Sequence, residues 1–319
     1  MRRLRTAIVF ATLLASPLVE ISAAKAAECP DVLASAIPSR PSGAPSAAKF
    51  VQGIIGLSGT ERESKIAAEL RSGNIPNHLR HLDPVRLQAE TSSGETAEIT
   101  ICVGPDYLAV GSDKDFLRVP MGLQAAITTA TSFGFVLPTP RMVDAIYQQA
   151  EIRLAPEPLP AGDAMRSTPY YVTHNQIIAA QRRQIAAAPD SLTAGHKKDL
   201  VLTNRLWSKQ GRVAIYGWHQ PDGTPIQPLS TVHGARYADY SHGVRLVSMV
   251  AYVDGVPRSL LDLLQDPRIA GSLSGEGPIE RVADLVHALA GPEVDPKLLE
   301  AKATRLATSV RRGIALAHH

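Results

Sequence analysis

The sequence predicts an α+β protein, with a mixed or antiparallel sheet, flanking helices and a helical brace at the C-terminus. Three observations predict it. Residues 85–90 and 98–103 alternate apolar and polar side chains around Ser92-Ser93-Gly94, as a hairpin does. Helical apolar spacing recurs between and after the strand patterns, without an internal repeat. The chain closes on an amphipathic helix capped by Asp295 and Pro296, with Leu299, Ala303, Leu306, Val310 and Ile314 on one face.

The remaining elements follow in order. Residues 37–46 are rich in Pro and Ser, so 27–48 reads as a tether. A helix starts at Thr60, with Glu63 completing a capping box, and stops at Gly73. Short strands at 107–110 and 116–119 flank Gly111-Ser112-Asp113, and helices cover 123–131 and 141–150. Three prolines in five residues, Pro156, Pro158 and Pro160, exclude helix there. That stretch reads as a strap between an N-terminal half, 49–154, and a C-terminal half, 163–319. The second half carries a helix at 175–187, strands at 199–203, 212–218 and 244–253, and a helix from Ser259.

The N-terminus reads as an export signal. Arg2, Arg3 and Arg5 precede an apolar run over 7–19, and Ala24-Lys25-Ala26 offers a cleavage site. The run is shorter than the roughly 20 residues that a spanning helix needs. A signal peptide over 1–26, a periplasmic or secreted location and no membrane insertion after cleavage are therefore expected. The chain carries 33 basic and 30 acidic residues, and removing 1–26 leaves 29 of each. No excess of positive charge remains to hold nucleic acid. In an oxidising compartment, Cys29 and Cys102 are expected to pair as a disulfide.

Aromatic residues divide unevenly along the chain. All five Phe lie at or before Phe135, whereas both Trp and six of eight Tyr fall between Tyr170 and Tyr252. Half of the ten His occupy the same window, at 174, 196, 219, 233 and 242. Tyr, Trp and His combine an apolar face with a polar edge, which suits a wet cleft. Four blocks carry them: 170–175, Gly195-His196-Lys197-Lys198-Asp199, Ile215-Tyr216-Gly217-Trp218-His219, and 233–245.

His233, Asp239, His242 and Asp199 are the candidate catalytic residues, since a histidine beside a carboxylate can move protons. Ser241 beside His242 offers a hydroxyl for the same chemistry. His196, Lys197, Tyr216, Trp218, Arg236, Tyr240 and Arg245 are the candidate substrate-binding residues. His219, His233, Asp239 and His242 could alternatively hold a divalent metal such as zinc, although their spacing matches no zinc signature. The five histidine and aspartate positions 196, 219, 233, 239 and 242 are expected to line one concavity.

His233-Gly234 followed by Ser241-His242-Gly243-Val244-Arg245 resembles the His-Gly…Ser-His-Gly-Cys-x-Arg signature of the L,D-transpeptidases, which cross-link peptidoglycan. Val244 stands where that family has its catalytic cysteine, and the gap between the two parts is shorter, which argues against transpeptidase activity. More broadly, residues 60–265 resemble an uncharacterised family of exported bacterial proteins with similar GHKKD, YGWH and DYSHGVR blocks. The expected function is hydrolysis, or a related cleavage, of a cell-envelope polymer such as peptidoglycan or polysaccharide, or of a small glycan or peptide. The alternative is a non-catalytic module that holds envelope glycan on Tyr and Trp faces.

Overall fold

The computed structural model describes residues 29–90, 94, 96–185 and 187–317. The signal peptide expected over 1–26 and Ser92 and Ser93 of the expected hairpin turn lie outside them.

The chain runs α1 (Ala47–Ile54), α2 (Gly59–Arg71), β1 (Asp83–Glu90), β2 (Thr96–Val103), β3 (Ala109–Ser112) and β4 (Asp115–Arg118). Next come α3 (Leu123–Phe133), β5 (Phe135–Val136), α4 (Pro140–Gln149), β6 (Ile152–Arg153) and α5 (Thr168–Arg183). Then follow β7 (Thr193–Ala194), β8 (Lys198–Leu200), α6 (Arg205–Ser208), β9 (Ile215–His219), β10 (Pro225–Ser230) and β11 (His242–Gly243). The chain ends with β12 (Val247–Val253), β13 (Val256–Ser259), α7 (Leu260–Gln265), α8 (Ala270–Ser274), α9 (Val282–Ala290) and α10 (Pro296–Ala317). This is an α+β fold with a C-terminal helix. No helix among the described residues is long and apolar enough to cross a membrane.

The two halves share one sheet. Its order is β1-β2-β12-β13, with β5 also pairing β12. β12 comes from the C-terminal half, yet it lies against β2, with Val253 opposite Ile99 and Ala251 opposite Ile101. Its residues 247–252 are all buried, which explains why the strand reads as an apolar run interrupted only by Ser248. α10 lies across β12, β13 and α9 and buries Leu299, Ala303 and Val310. Asp295 caps it by accepting from Leu298 N at 3.0 Å. A second sheet, β10-β9-β8-β11, is built wholly from the C-terminal half.

Three local expectations change. The expected tether is packed: Leu33, Ala34 and Ile37 are buried, and Cys29 is bonded to Cys102 of β2 across 73 residues. Arg40 pins the Pro-rich turn by donating to Asn74 Oδ1, Gly111 O, Ala44 O and Pro45 O. The capping box of α2 does not form, because Glu63 accepts from the distant Gly122 N instead. α5 starts at Thr168, seven residues before the expected helix. Ser167 caps it and Pro169 fits its first turn, so Tyr171, His174 and Ile178 form a buried helical stripe rather than a loop.

Candidate active site and its buried neighbour

The second sheet brings three of the four polar blocks into adjacent strands. β11 runs parallel to β8, with His242 opposite Lys198 and Gly243 opposite Asp199. β9 runs antiparallel on the other side, with Gly217 opposite Lys198 and Tyr216 opposite Asp199. Gly243 is required by close approach, since a Cβ there would lie 2.5 Å from the Tyr107 ring. Although the strands adjoin, their polar side chains separate into two environments.

The first environment is sealed. His196, Lys197, Asp199 and Arg245 are each at most 2% exposed. The Asp106 carboxylate grips Arg118 through both oxygens and meets His196 Nε2 at 3.1 Å. Burial would raise Asp106, but Arg118 and His196 outweigh it and hold the carboxyl well below its usual range. Burial lowers His196 to about 4, so at neutral pH it donates as an uncharged ring. Lys197 contacts His174 Nδ1 at 3.2 Å and donates to Tyr240 O. Burial lowers its ammonium to about 7. Asp199 accepts from the Tyr107 hydroxyl at 2.8 Å, and burial raises it to about 6. Arg245 donates to Gly104 O and Thr193 O and stacks over Tyr107. Two atoms of this set, His196 Nδ1 and Asp199 Oδ1, are buried without a hydrogen-bond partner.

The expected roles of these residues therefore change. Asp199 is not placed for catalysis, and His196, Lys197 and Arg245 cannot touch a polymer. Trp218 and Tyr240 are also core residues, 5% and 1% exposed, meeting edge to face with His174. Trp218 adopts φ 58°, a left-handed conformation that a bulky residue holds only when its surroundings enforce it. Tyr216 and His219 turn to another cavity, where both contact Asp144 Oδ1 at 2.9 Å and His219 stacks on Tyr147. His219 is thus separated from His233 and Asp239. Among the described residues, no three His, Cys, Asp or Glu side chains are placed to hold a metal ion, so the zinc set does not assemble.

The second environment opens to solvent. His233 stacks flat on Tyr237 at 4.1 Å, and both are half-buried. Behind them lies His242, 5.6 Å from the Tyr237 ring and 6.2 Å from the His233 ring. His242 Nε2 is 4.0 Å from Asp239 Oδ2, while Asp239 Oδ1 accepts from Ser241 N and Ser241 Oγ. Ser241 is therefore engaged by the carboxylate, not by the histidine. Burial lowers His242 to about 4, leaving a neutral ring whose two nitrogens have no hydrogen-bond partner. Burial would raise Asp239, but the His242 ring, Ser241 and the Lys198 ammonium together hold it below its usual value. Tyr237 is pushed up to about 12 by burial and then by Asp239, so its hydroxyl stays protonated. Burial also lowers His233, which favours its neutral, proton-accepting form.

Tyr237 also borders a cleft of about 430 Å³ that reaches both halves of the chain. Its walls carry Arg62 and Glu63 from α2, Arg166 before α5, and Arg236 from the fourth block. Arg62 forms the floor: it donates to Arg166 O at 2.6 Å and to Tyr171 Oη at 2.9 Å, while Tyr171 donates to Ala238 O at 3.0 Å. Ser58 and Gly59, at the start of α2, line the same cleft, and Ser58 makes no side-chain cap. Asp163 lines the cleft too and pairs with Arg166 at 3.5 Å, and Arg62 is engaged in the floor. The positive end of that helix and the exposed Arg236 are what remain to favour an anion. Burial raises Glu63 above its usual value even though it accepts from Gly122 N.

Arg62, Glu63 and Arg166 were not among the expected site residues, and Tyr171 lay in the first polar block without an assigned role. One signal was present: Arg62 occupies the same helical stripe as Ile66 and Leu70, a position where a charge is unusual without a specific partner. No family model matches the chain, and no match is found among the curated proteins or the solved structures.

Proposed function

We propose that the protein is an exported hydrolase, or a related cleaving enzyme, acting on a cell-envelope polymer that carries carboxylates. The observation that carries this reading is Tyr237, which borders the arginine-walled cleft on one side and stacks on His233 on the other. A substrate carboxylate would settle against Arg236 and the start of α2. That would leave the adjoining bond beside His233 and Tyr237. Neutral His233 takes a proton from the attacking water and returns it to the leaving group as the scissile bond breaks, while the Tyr237 hydroxyl donates a hydrogen bond to the oxygen that gains charge. Asp239 and His242 sit behind this pair and maintain its electrostatic setting. Export is supported by the signal-like N-terminus and by a disulfide of the kind that persists outside the cytoplasm. Val244 is fully buried, so a residue at that position meets no substrate and the transpeptidase comparison supplies no nucleophile. The binding-module alternative would rest on the part-exposed Tyr170, Trp207, Tyr216 and Tyr237, since Trp218 and Tyr240 are core residues.

The test is product release from peptidoglycan and from bacterial glycans by the wild type and by His233→Ala, with a melting curve for each. Wild-type turnover that disappears in a folded His233→Ala variant supports the reading. Turnover should persist below the ordinary histidine range and fall as His233 takes up a proton. A wild type that releases nothing from these polymers would sink it.

A further inference from the structure

A second cleft shares no lining residue with the first and lies between the β3–β4 hairpin and α5. It holds about 690 Å³, within the range of small-molecule sites. Its construction starts with Asn175, which accepts from Arg118 N and donates to Phe116 O, so it satisfies the open edge of β4 in place of another strand. This holds α5 beside the hairpin and leaves a gap further along the helix, where Ala179 presents only a methyl group.

The gap is chemically two-sided. Phe116, Ala179 and Ile185 make an apolar wall, and Ile185 is 39% exposed. Lys114 and Arg183 are exposed at the rim, and neither forms an ion pair or a side-chain hydrogen bond among the described residues. The other two cations of the lining are already engaged: Arg118 with Asp106, and Arg182 with Thr193 Oγ1 and Ala188 O. Asp115, the carboxylate of the lining, accepts from Ala48 N at the start of α1. The unspent charge of the cleft is therefore positive. His78 lies on the wall tilted against Phe116 and is 6% exposed; it donates to Asp113 through Nδ1, so its unpartnered Nε2 is an acceptor and adds nothing for an anion.

We propose that this cleft binds a small amphipathic anion, a carboxylate carried on an apolar body, with Lys114 and Arg183 at the carboxylate and Phe116, Ala179 and Ile185 against the body. The site is independent of the proposed hydrolysis. Titration calorimetry of the disulfide-bonded protein with octanoate, octanamide and acetate tests it. Octanoate should bind, with octanamide about tenfold weaker, the effect of losing the charged contact, and acetate at least about a hundredfold weaker, the effect of losing the apolar body. The double variant Lys114→Gln/Arg183→Gln, checked for folding by its melting curve, should weaken octanoate about tenfold and leave octanamide unchanged. Arg236→Gln in the first cleft should change neither. Absence of octanoate binding, or octanamide binding as tightly as octanoate, overturns the proposal. So does acetate matching octanoate, which would mark a simple anion site, or an unaffected double variant, which would place the ligand elsewhere.

Discussion

The strand β8 and the loop that enters β11 carry the same kinds of residue, yet they do opposite things. In β8 and its approach, His196, Lys197 and Asp199 are sealed against Asp106, Arg118, Tyr107 and Tyr240. In the loop, His233 and Tyr237 stack at the surface with Asp239 and His242 behind them. The first set pairs Asp106 with Arg118 and His196, and Asp199 with Tyr107, away from solvent, although His196 Nδ1 and Asp199 Oδ1 keep no partner. The second keeps His233 and Tyr237 half-exposed, so a substrate can reach a proton-accepting ring. A histidine and an aspartate near each other therefore say little until their remaining partners are known.

The largest expected effect separates these regions by stability. Asp106→Ala leaves the Arg118 guanidinium buried without its carboxylate and should cost about 3–5 kcal/mol in denaturant unfolding. His233→Ala, at a half-exposed position, should cost no more than about 1 kcal/mol while abolishing turnover. Equal losses in the two variants would erase the distinction.

A smaller effect sharpens the contrast through pH. Lys197 titrates near 7 in the folded protein, below the ordinary lysine range of the unfolded chain. Between those values the unfolded chain binds the proton and the folded one does not, so stability rises with pH. The penalty is fully developed below about 7. Lys197→Met should remove this slope. Parallel stability–pH curves for variant and wild type from neutral to alkaline pH would show that Lys197 keeps its charge by contacts not described above.

The smallest effect on stability belongs to the open cleft. Arg236→Gln, at an exposed position, should shift unfolding by no more than about 0.5 kcal/mol. If the arginine wall positions a substrate carboxylate, the same change should raise KM more than it lowers kcat. A KM that does not move would remove Arg236 from substrate binding.

Particular residues show how much could be read before folding. The hairpin, the short β3–β4 pair, the strand at β12 and the apolar stripe of α10 follow from alternation and helical spacing, which are local properties. The GHKKD, YGWH and SHG segments do meet in one sheet, but their side chains do not line one concavity. Their chemistry depends on partners that spacing does not reveal: Asp106 lies 90 residues from His196, and Tyr171 lies 109 residues from Arg62.

The sequence by itself determined the α+β class, the succession of most strands and helices, and the concentration of polar aromatic residues in the second half. Those features rest on periodicity, capping and composition, which act within a few turns of chain. Only the tertiary structure decided that Trp218, Tyr240 and Asp199 are core residues, that Arg62 and Arg166 floor and wall the cleft, and that His219 leaves its expected companions. The physical reason is that the free energy of a buried polar group depends on which distant groups complete its hydrogen bonds and charge. That is settled when remote segments pack.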